Sequence, residues 1–251
     1  MSQIMIITGG SRGIGAATAL LAAERGYDVA INFASNQSAA DATVKAVQAK
    51  GRRAIAVKGD VANEADMLKL FEACDKQLGK LTCLVNNAGV VDLKSRFDEM
   101  SVARWKRMFD INVIGSFICA REAVKRMSKK HGGAGGTIIN ISSAAARIGA
   151  AGTYVDYAAA KGAIDVFTLG LAREVAGEGI RVNALRPGII DTGIHATGGE
   201  PDKFNQSASV VPMGRGGQPT EMAEAILWLA SDQSSYSTGM VLDASGGRSG
   251  L

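Results

Sequence analysis

Short apolar runs alternate with longer amphipathic stretches along the whole chain. Residues 4–8, 29–33, 54–58, 81–85, 137–142, 181–185 and 240–243 are compact runs dominated by Ile, Val, Leu and Ala. That is the pattern of strands buried on both faces. Between them, the spacing predicts helices over 13–25, 38–50, 64–78, 101–130, 153–176 and 220–230. Gly26, Gly51 and Gly79 follow three of these stretches, where helices commonly stop. Repeated strand–helix units imply an α/β fold, a doubly wound parallel sheet of about seven strands with right-handed crossovers and helices on both faces. No linker or composition break divides residues 1–251, so a single domain is expected. Residues 191–218 stand apart, rich in Gly, Pro and polar residues and longer than an ordinary connection. They are expected to form a substrate lid.

Composition adds limits. Aromatic residues are 5% of the chain, so the core must be built from Ala, Val, Ile and Leu. Met100, Met108 and Met127 read as packing residues, and Trp105 with Phe109, four apart, as part of a helix interface. The net charge is only +4, with no interleaving of basic and aromatic residues, so no nucleic acid partner is expected. The run Lys125-Arg126-Met127-Ser128-Lys129-Lys130-His131 reads as the cationic last turns of a helix. Cys74, Cys83 and Cys119 lack metal-like spacing, so no metal site is expected, and their odd number suits reduced thiols in the cytoplasm. The first residues lack a charged segment before a long apolar one, and no run is long enough to span a membrane.

The first chemistry-bearing segment leaves the first strand as Gly9-Gly10-Ser11-Arg12-Gly13-Ile14-Gly15. Glycines there let backbone approach a pyrophosphate, and the following helix N-terminus favours negative charge. The spacing is G-x-x-x-G-x-G rather than G-x-G-x-x-G. Such a turn makes the fold Rossmann-type. The second strand ends Asn32-Phe33-Ala34-Ser35-Asn36, without the acid that would hold an NAD ribose hydroxyl. Arg12 can grip a 2′-phosphate instead, so NADP(H) is preferred and NAD(H) remains possible, as it would if Arg12 only paired with a nearby acid.

These motifs resemble the short-chain dehydrogenase/reductase family in its compact form, over nearly the whole chain. The turn from Thr8 to Gly15 resembles that family's cofactor turn; Asp60-Val61 the pair contacting adenine; Asn86-Asn87-Ala88-Gly89 the segment that braces the sheet and borders the cofactor. Asn112 falls where the family has a helix asparagine, and Ser143, Tyr157 and Lys161 match its catalytic residues. Pro187-Gly188-Ile189-Ile190-Asp191-Thr192 resembles the segment holding the nicotinamide. Arg215-Gly216, Ala230-Ser231-Asp232 and Thr238-Gly239 resemble its C-terminal third. Within the family, His195-Ala196-Thr197-Gly198-Gly199-Glu200-Pro201 is similar to a segment of uncharacterised bacterial oxidoreductases. The gap between Ser143 and Tyr157 is one residue longer than the commonest spacing, which leaves Ser142 as a neighbouring candidate and places the extra residue in 144–152, a loop expected to border the substrate.

The resemblance implies a small-molecule carbonyl or secondary alcohol as substrate and a homotetramer, or a homodimer, as assembly. The helices 101–130 and 153–176 would form one interface and the C-terminal region another. It also implies that Lys161 binds the nicotinamide ribose and that Asn112 holds a water relaying protons to it. Asn112 could equally well bond only backbone. Tyr157 and Lys161 are four apart and share a helix face, so the ammonium is expected to lower the phenol's pKa. Tyr157 would then act as general acid or base, with Ser143 bonding the developing oxyanion. His195 reads as a lid residue. Three alternatives stay open: an NAD-dependent sugar or polyol dehydrogenase, a non-enzymatic dinucleotide sensor, and a sugar-nucleotide epimerase, which would want a longer chain. A β-ketoacyl thioester, a sugar, a quinone-like ketone and a steroid-like alcohol are all possible substrates, with a small polar one favoured by the few bulky apolar residues of the lid.

Overall fold

The computed structural model describes residues 3–249; the ends of the expected 1–251 domain lie outside them. Seven strands are β1 (Gln3–Ile7), β2 (Tyr27–Phe33), β3 (Ala54–Lys58), β4 (Cys83–Asn86), β5 (Gly136–Ile141), β6 (Ile180–Pro187) and β7 (Val241–Ala244). They form one sheet in the order β3-β2-β1-β4-β5-β6-β7, and every pairing is parallel. Strand side chains alternate between the two faces. Met5 and Ile7 join a core beneath α1 (Gly13–Glu24), α2 (Gln37–Ala49) and α9 (Pro219–Ala230). Ile4 and Ile6 face the opposite core, under α3 (Glu64–Gln77), α5 (Gly115–Met127) and α7 (Val155–Val175). Each fully buried Ile, Leu or Met contributes about 1.5–3 kcal/mol through lost apolar exposure. The strand order reverses between β1 and β4, which opens a crevice at their carboxyl ends.

Most elements lie within two residues of their expected bounds, and the differences have local causes. β2 starts two residues early, at Tyr27, because buried Asp28 accepts from the backbone and side chain of Arg53 at the sheet edge. β4 starts two residues late, at Cys83, where register with β1 and β5 begins. The expected helix 101–130 is divided. It comprises α4 (Val102–Phe109), a π-turn over Asp110–Ile114, and α5, which ends at Met127. One extra residue is absorbed in the π-turn, a slip of the hydrogen-bond ladder that scarcely disturbs the apolar period. The basic run splits accordingly. Lys125 and Arg126 occupy the last turn of α5, while Lys129–His131 form a separate 3₁₀ turn before left-handed Gly132.

The loop 144–152 contains a short helix, α6 (Ala145–Ile148). Beyond it, Ala150 has φ +49°, the only non-glycine value in the left-handed region among the described residues. The lid region holds one short helix, α8 (Ile194–Thr197), and a 3₁₀ turn over Ser207–Ser209. Met100, Met108 and Met127 are buried. Trp105 stacks on Phe97 at 5.3 Å, whereas Phe109 is partly exposed. The three cysteines are free and buried, and burial pushes each thiol up to about 12. Among the described residues no helix is long and apolar enough to cross a membrane, and no group of three or more His, Cys, Asp or Glu could hold a metal ion.

Candidate active site

A cavity of about 430 Å³ runs along the carboxyl ends of the strands. One end is made by the turn between β1 and α1. Gly9 lies at φ +64°, and a Cβ there would press on the backbone of Ala88. A Cβ on Gly15 would stand 2.4 Å from the Gly9 carbonyl oxygen, so only glycine closes this turn. Asn87 locks it from β4, its side-chain amide donating to Thr8 O at 2.8 Å and Gly9 O at 3.1 Å. Buried Asn32 locks it from β2, accepting from the Gly9 N–H and donating to Gly59 O at 2.8 Å.

The helix that follows is arranged for an anion. Its N-cap, Arg12, makes no side-chain cap, and its first turn carries no acid. The first-turn N–H groups and the helix dipole therefore remain available to a phosphate. Gly9, Ser11, Arg12, Gly13 and Ile14 line the cavity; Gly15 sits behind them. Ala34, Ser35 and Asn36 line it from the end of β2, and Asn36 also caps α2 by accepting from Ala39 N at 3.0 Å. Among the described residues no carboxylate pairs with Arg12. Asp60, Val61, Asn87, Ala88 and Gly89 continue the wall, followed by Pro187, Gly188, Ile190 and Thr192.

Ser143, Tyr157 and Lys161 line the same cavity further along. Ser142 and Ser143 both line the cavity; Ser142 is buried and donates to Lys161 O at 3.2 Å, while the Ser143 hydroxyl accepts from Ala145 N at 3.1 Å and favours the charged form of Tyr157. Tyr157 sits in the first turn of α7, anchored by the buried ion pair of Asp156 with Arg104 of α4 at 2.7 Å. The Lys161 ammonium lies 5.6 Å from the centre of the Tyr157 ring and donates to Ile141 O at 2.8 Å.

The expected depression of the Tyr157 pKa is corrected here. Burial raises it above the ordinary phenol value, and Ser143 opposes that rise. Lys161 yields instead. Burial depresses it to about 8, against the upward pull of Asp165. Desolvation of both groups outweighs their mutual effect. Asn112, in the π-turn, lies behind the cavity wall. Its amide donates to Val90 O and Met108 O, each at 3.0 Å, and its oxygen accepts from Val90 N at 3.2 Å. The structure thus shows this side chain bonding backbone. Gly89 has room only for a hydrogen, because a Cβ there would meet Asn112 Oδ1 at 2.8 Å and Lys161 Nζ at 3.3 Å.

Comparison with known proteins settles the lineage. A family model described as Enoyl-(Acyl carrier protein) reductase matches residues 9–249. The uncharacterized oxidoreductase YgfF of Escherichia coli K12 is 49% identical, over 98% of this chain and 99% of its own. This chain belongs to the short-chain dehydrogenase/reductase family. A Serratia marcescens short-chain dehydrogenase/reductase, solved as a double mutant, superposes with a TM-score of 0.91 at 33% identity, covering 99% of this chain and 98% of the other. Two further relatives carry named activities. Cis-4-hydroxycyclohexanecarboxylate dehydrogenase of Sinomonas cyclohexanicum is 38% identical over 98% of this chain and 96% of its own. The 3-oxoacyl-[acyl-carrier-protein] reductase FabG of Staphylococcus aureus Mu50 is 36% identical over 98% of each. The family assignment makes the chain an oxidoreductase.

The far end of the cavity joins His195 and Glu200, from the segment quoted above, to Tyr154, Lys203 and Arg248, which the motifs did not single out. Tyr154, the N-cap of α7, donates to Glu200 at 2.7 Å and lies 2.8 Å from Gly198 O. Lys203 bridges the same Glu200 carboxylate at 2.6 Å and stands 5.1 Å over the Tyr154 ring. His195 Nε2 lies 2.9 Å from Ile190 O. A carbonyl only accepts, so this nitrogen carries the proton. Burial holds the His195 pKa below its ordinary value. Ile148, Ala150 and Thr153 border the cavity from the loop after β5, and Arg248 from the C-terminal segment.

Proposed function

We propose that this protein is an NADP(H)-dependent oxidoreductase that moves a hydride between the nicotinamide and a carbonyl or secondary alcohol. The observation that carries this reading is one continuous cavity. An uncapped, acid-free helix start with Arg12 lies at one end, and Ser143, Tyr157 and Lys161 lie further along. The residues present fit a dinucleotide. The first-turn N–H groups of α1 and Ser11 would hold the pyrophosphate, Arg12 the 2′-phosphate, and Asp60-Val61 would border the adenine. Bound there, the nicotinamide supplies the hydride.

Tyr157 supplies the proton. A phenol whose pKa is raised by burial keeps its proton near neutrality and can deliver it to a carbonyl oxygen, the protonation state that carbonyl reduction starts from. Ser143 holds that oxygen from its cavity-facing position. Lys161, near half-protonation at about 8, can replace the Tyr157 proton and bind a ribose hydroxyl. Asn112 acts as a positioning residue, fixing Val90 and the adjoining Gly89 against Lys161. The named activities of the Sinomonas and Staphylococcus relatives, an alcohol dehydrogenation and a ketone reduction, agree with this chemistry. Residues 191–218 act as the lid. A homotetramer in the cytoplasm is part of the same reading, supported by exposed Phe117, Val166 and Leu169 on α5 and α7 and by fully exposed Tyr236 near the C-terminus.

Fluorescence titration with NADPH and NADH is the test. NADPH should bind the more tightly, and Arg12→Ala should weaken it by roughly 1.5–3 kcal/mol, the worth of a charge-assisted bond, while hardly moving NADH. Equal or tighter NADH binding removes the NADP(H) preference and favours a polyol dehydrogenase. Binding of neither removes the enzyme reading.

A further inference from the structure

The substrate end of the cavity carries an unbalanced positive charge. Lys203 and Arg248 line it, and Glu200 is the carboxylate acting on both. Glu200 already receives Lys203 and the Tyr154 hydroxyl. Among the described residues nothing accepts a hydrogen bond from the Arg248 guanidinium, although the residue is half-buried. His195 feels Lys203, Glu200 and Arg248, and burial keeps it neutral. Two cations that line the cavity, Lys203 and Arg248, therefore share one carboxylate, on which Lys94 also acts. A half-buried charge with no partner among the described residues is costly, and burial depresses the Arg248 pKa accordingly. A planar guanidinium presents a donor fork that matches a carboxylate.

We propose that Arg248, together with Lys203, binds a carboxylate on the substrate, so that the protein acts on an oxo acid or hydroxy acid whose acid group is separate from the reacting carbon. This rests on the hydride-transfer reading above. The separation follows from the lining of the cavity. Lys203 is held over the ring of Tyr154, which precedes Tyr157 by three residues, and Arg248 enters the same cavity from the C-terminal segment. The acid group and the carbonyl would thus occupy different parts of one cavity. The planar fork of a single guanidinium fits the two oxygens of a carboxylate.

Calorimetric titration of the full chain with cyclohexanecarboxylate, its carboxamide and cyclohexyl phosphate tests this without requiring turnover. The carboxylate should bind about tenfold or more tightly than the amide, as a charge-assisted bond implies. Arg248→Gln should bring that ratio to near one; Arg248→Lys should keep part of it and controls for folding. Arg12→Ala should leave the ratio unchanged, which separates this site from the phosphate turn. A wild-type ratio near one, or a ratio that survives Arg248→Gln, overturns the proposal. Tighter binding of the phosphate than of the carboxylate overturns the choice of acid group. A carboxylate preference in a protein that reduces no carbonyl with either nicotinamide would sink the hydride-transfer reading and leave the acid site standing.

Discussion

The two ends of the cavity are built from different materials. At the nucleotide end the contacts are made by backbone. Gly9 and Gly15 pack without side chains, and Asn32 and Asn87 fasten the turn through main-chain oxygens and N–H groups. At the other end the contacts are made by side chains. Tyr154, Glu200 and Lys203 meet across the lid, and Arg248 reaches in from the end of the sheet. A backbone site offers the same N–H groups whatever the neighbouring side chains are, which suits a ligand shared by many enzymes. A side-chain site changes with each substitution, which suits a substrate that differs from one relative to the next.

The comparison can be broken most sharply at Tyr157, which stands between the two ends. Tyr157→Phe should lower kcat by roughly 10²–10⁴, the usual worth of a positioned acid, with nucleotide affinity unchanged in titrations. A matching loss of nucleotide affinity would mean that the two ends are not separable. Gly15→Ala attacks the backbone end. Its Cβ would meet Gly9 O at 2.4 Å and Asn87 Nδ2 at 2.6 Å, so about 1–3 kcal/mol of stability should be lost, with weakened nucleotide binding. A thermal melt with and without nucleotide reads both effects.

Lys161 gives a smaller and pH-dependent signature. Burial moves it from 10.5 to about 8, so below pH 8 the folded protein carries a buried ammonium that the unfolded chain hydrates freely. Between pH 8 and 10.5 the unfolded state binds more protons, and stability should rise with pH by up to about 1.4 kcal/mol per unit. Melting curves across that window should therefore climb relative to Lys161→Met; a flat difference would place the ammonium in water. Glu200→Gln is the mildest change. It weakens the bridge to Lys203 and Tyr154 by roughly 1 kcal/mol, and KM should rise severalfold while nucleotide affinity stays put. An altered nucleotide affinity would count against a confined substrate end.

The same contrast explains what could be read from the sequence. The strands, the crossovers and the turn from Gly9 to Gly15 follow from local periodicity and contiguous glycines, so the sheet and the glycine turn were legible. Tyr157 and Lys161 were legible as neighbours on a helix, but the sign of the Tyr157 shift was not, because burial is a property of the assembled core. The π-turn at Asp110–Ile114 was hidden, since a one-residue slip leaves the apolar pattern almost intact. Tyr154 and Glu200 are 46 residues apart and form no motif, so the substrate end appears only once the chain is folded. The glycine pair Gly198-Gly199 was the available signal, because a Cβ on Gly198 would meet the Tyr154 hydroxyl at 2.7 Å.

The placement of β1 beside β4 has a kinetic consequence. Asn87 reaches Thr8 and Gly9 across sequence separations of 79 and 78 residues. The centre of the sheet therefore closes only after a long loop has been drawn together, a step that parallel topologies pay in entropy before any contact rewards it. The glycine turn therefore acquires its shape only at that late closure. Refolding followed by nucleotide fluorescence should consequently trail the appearance of helical signal.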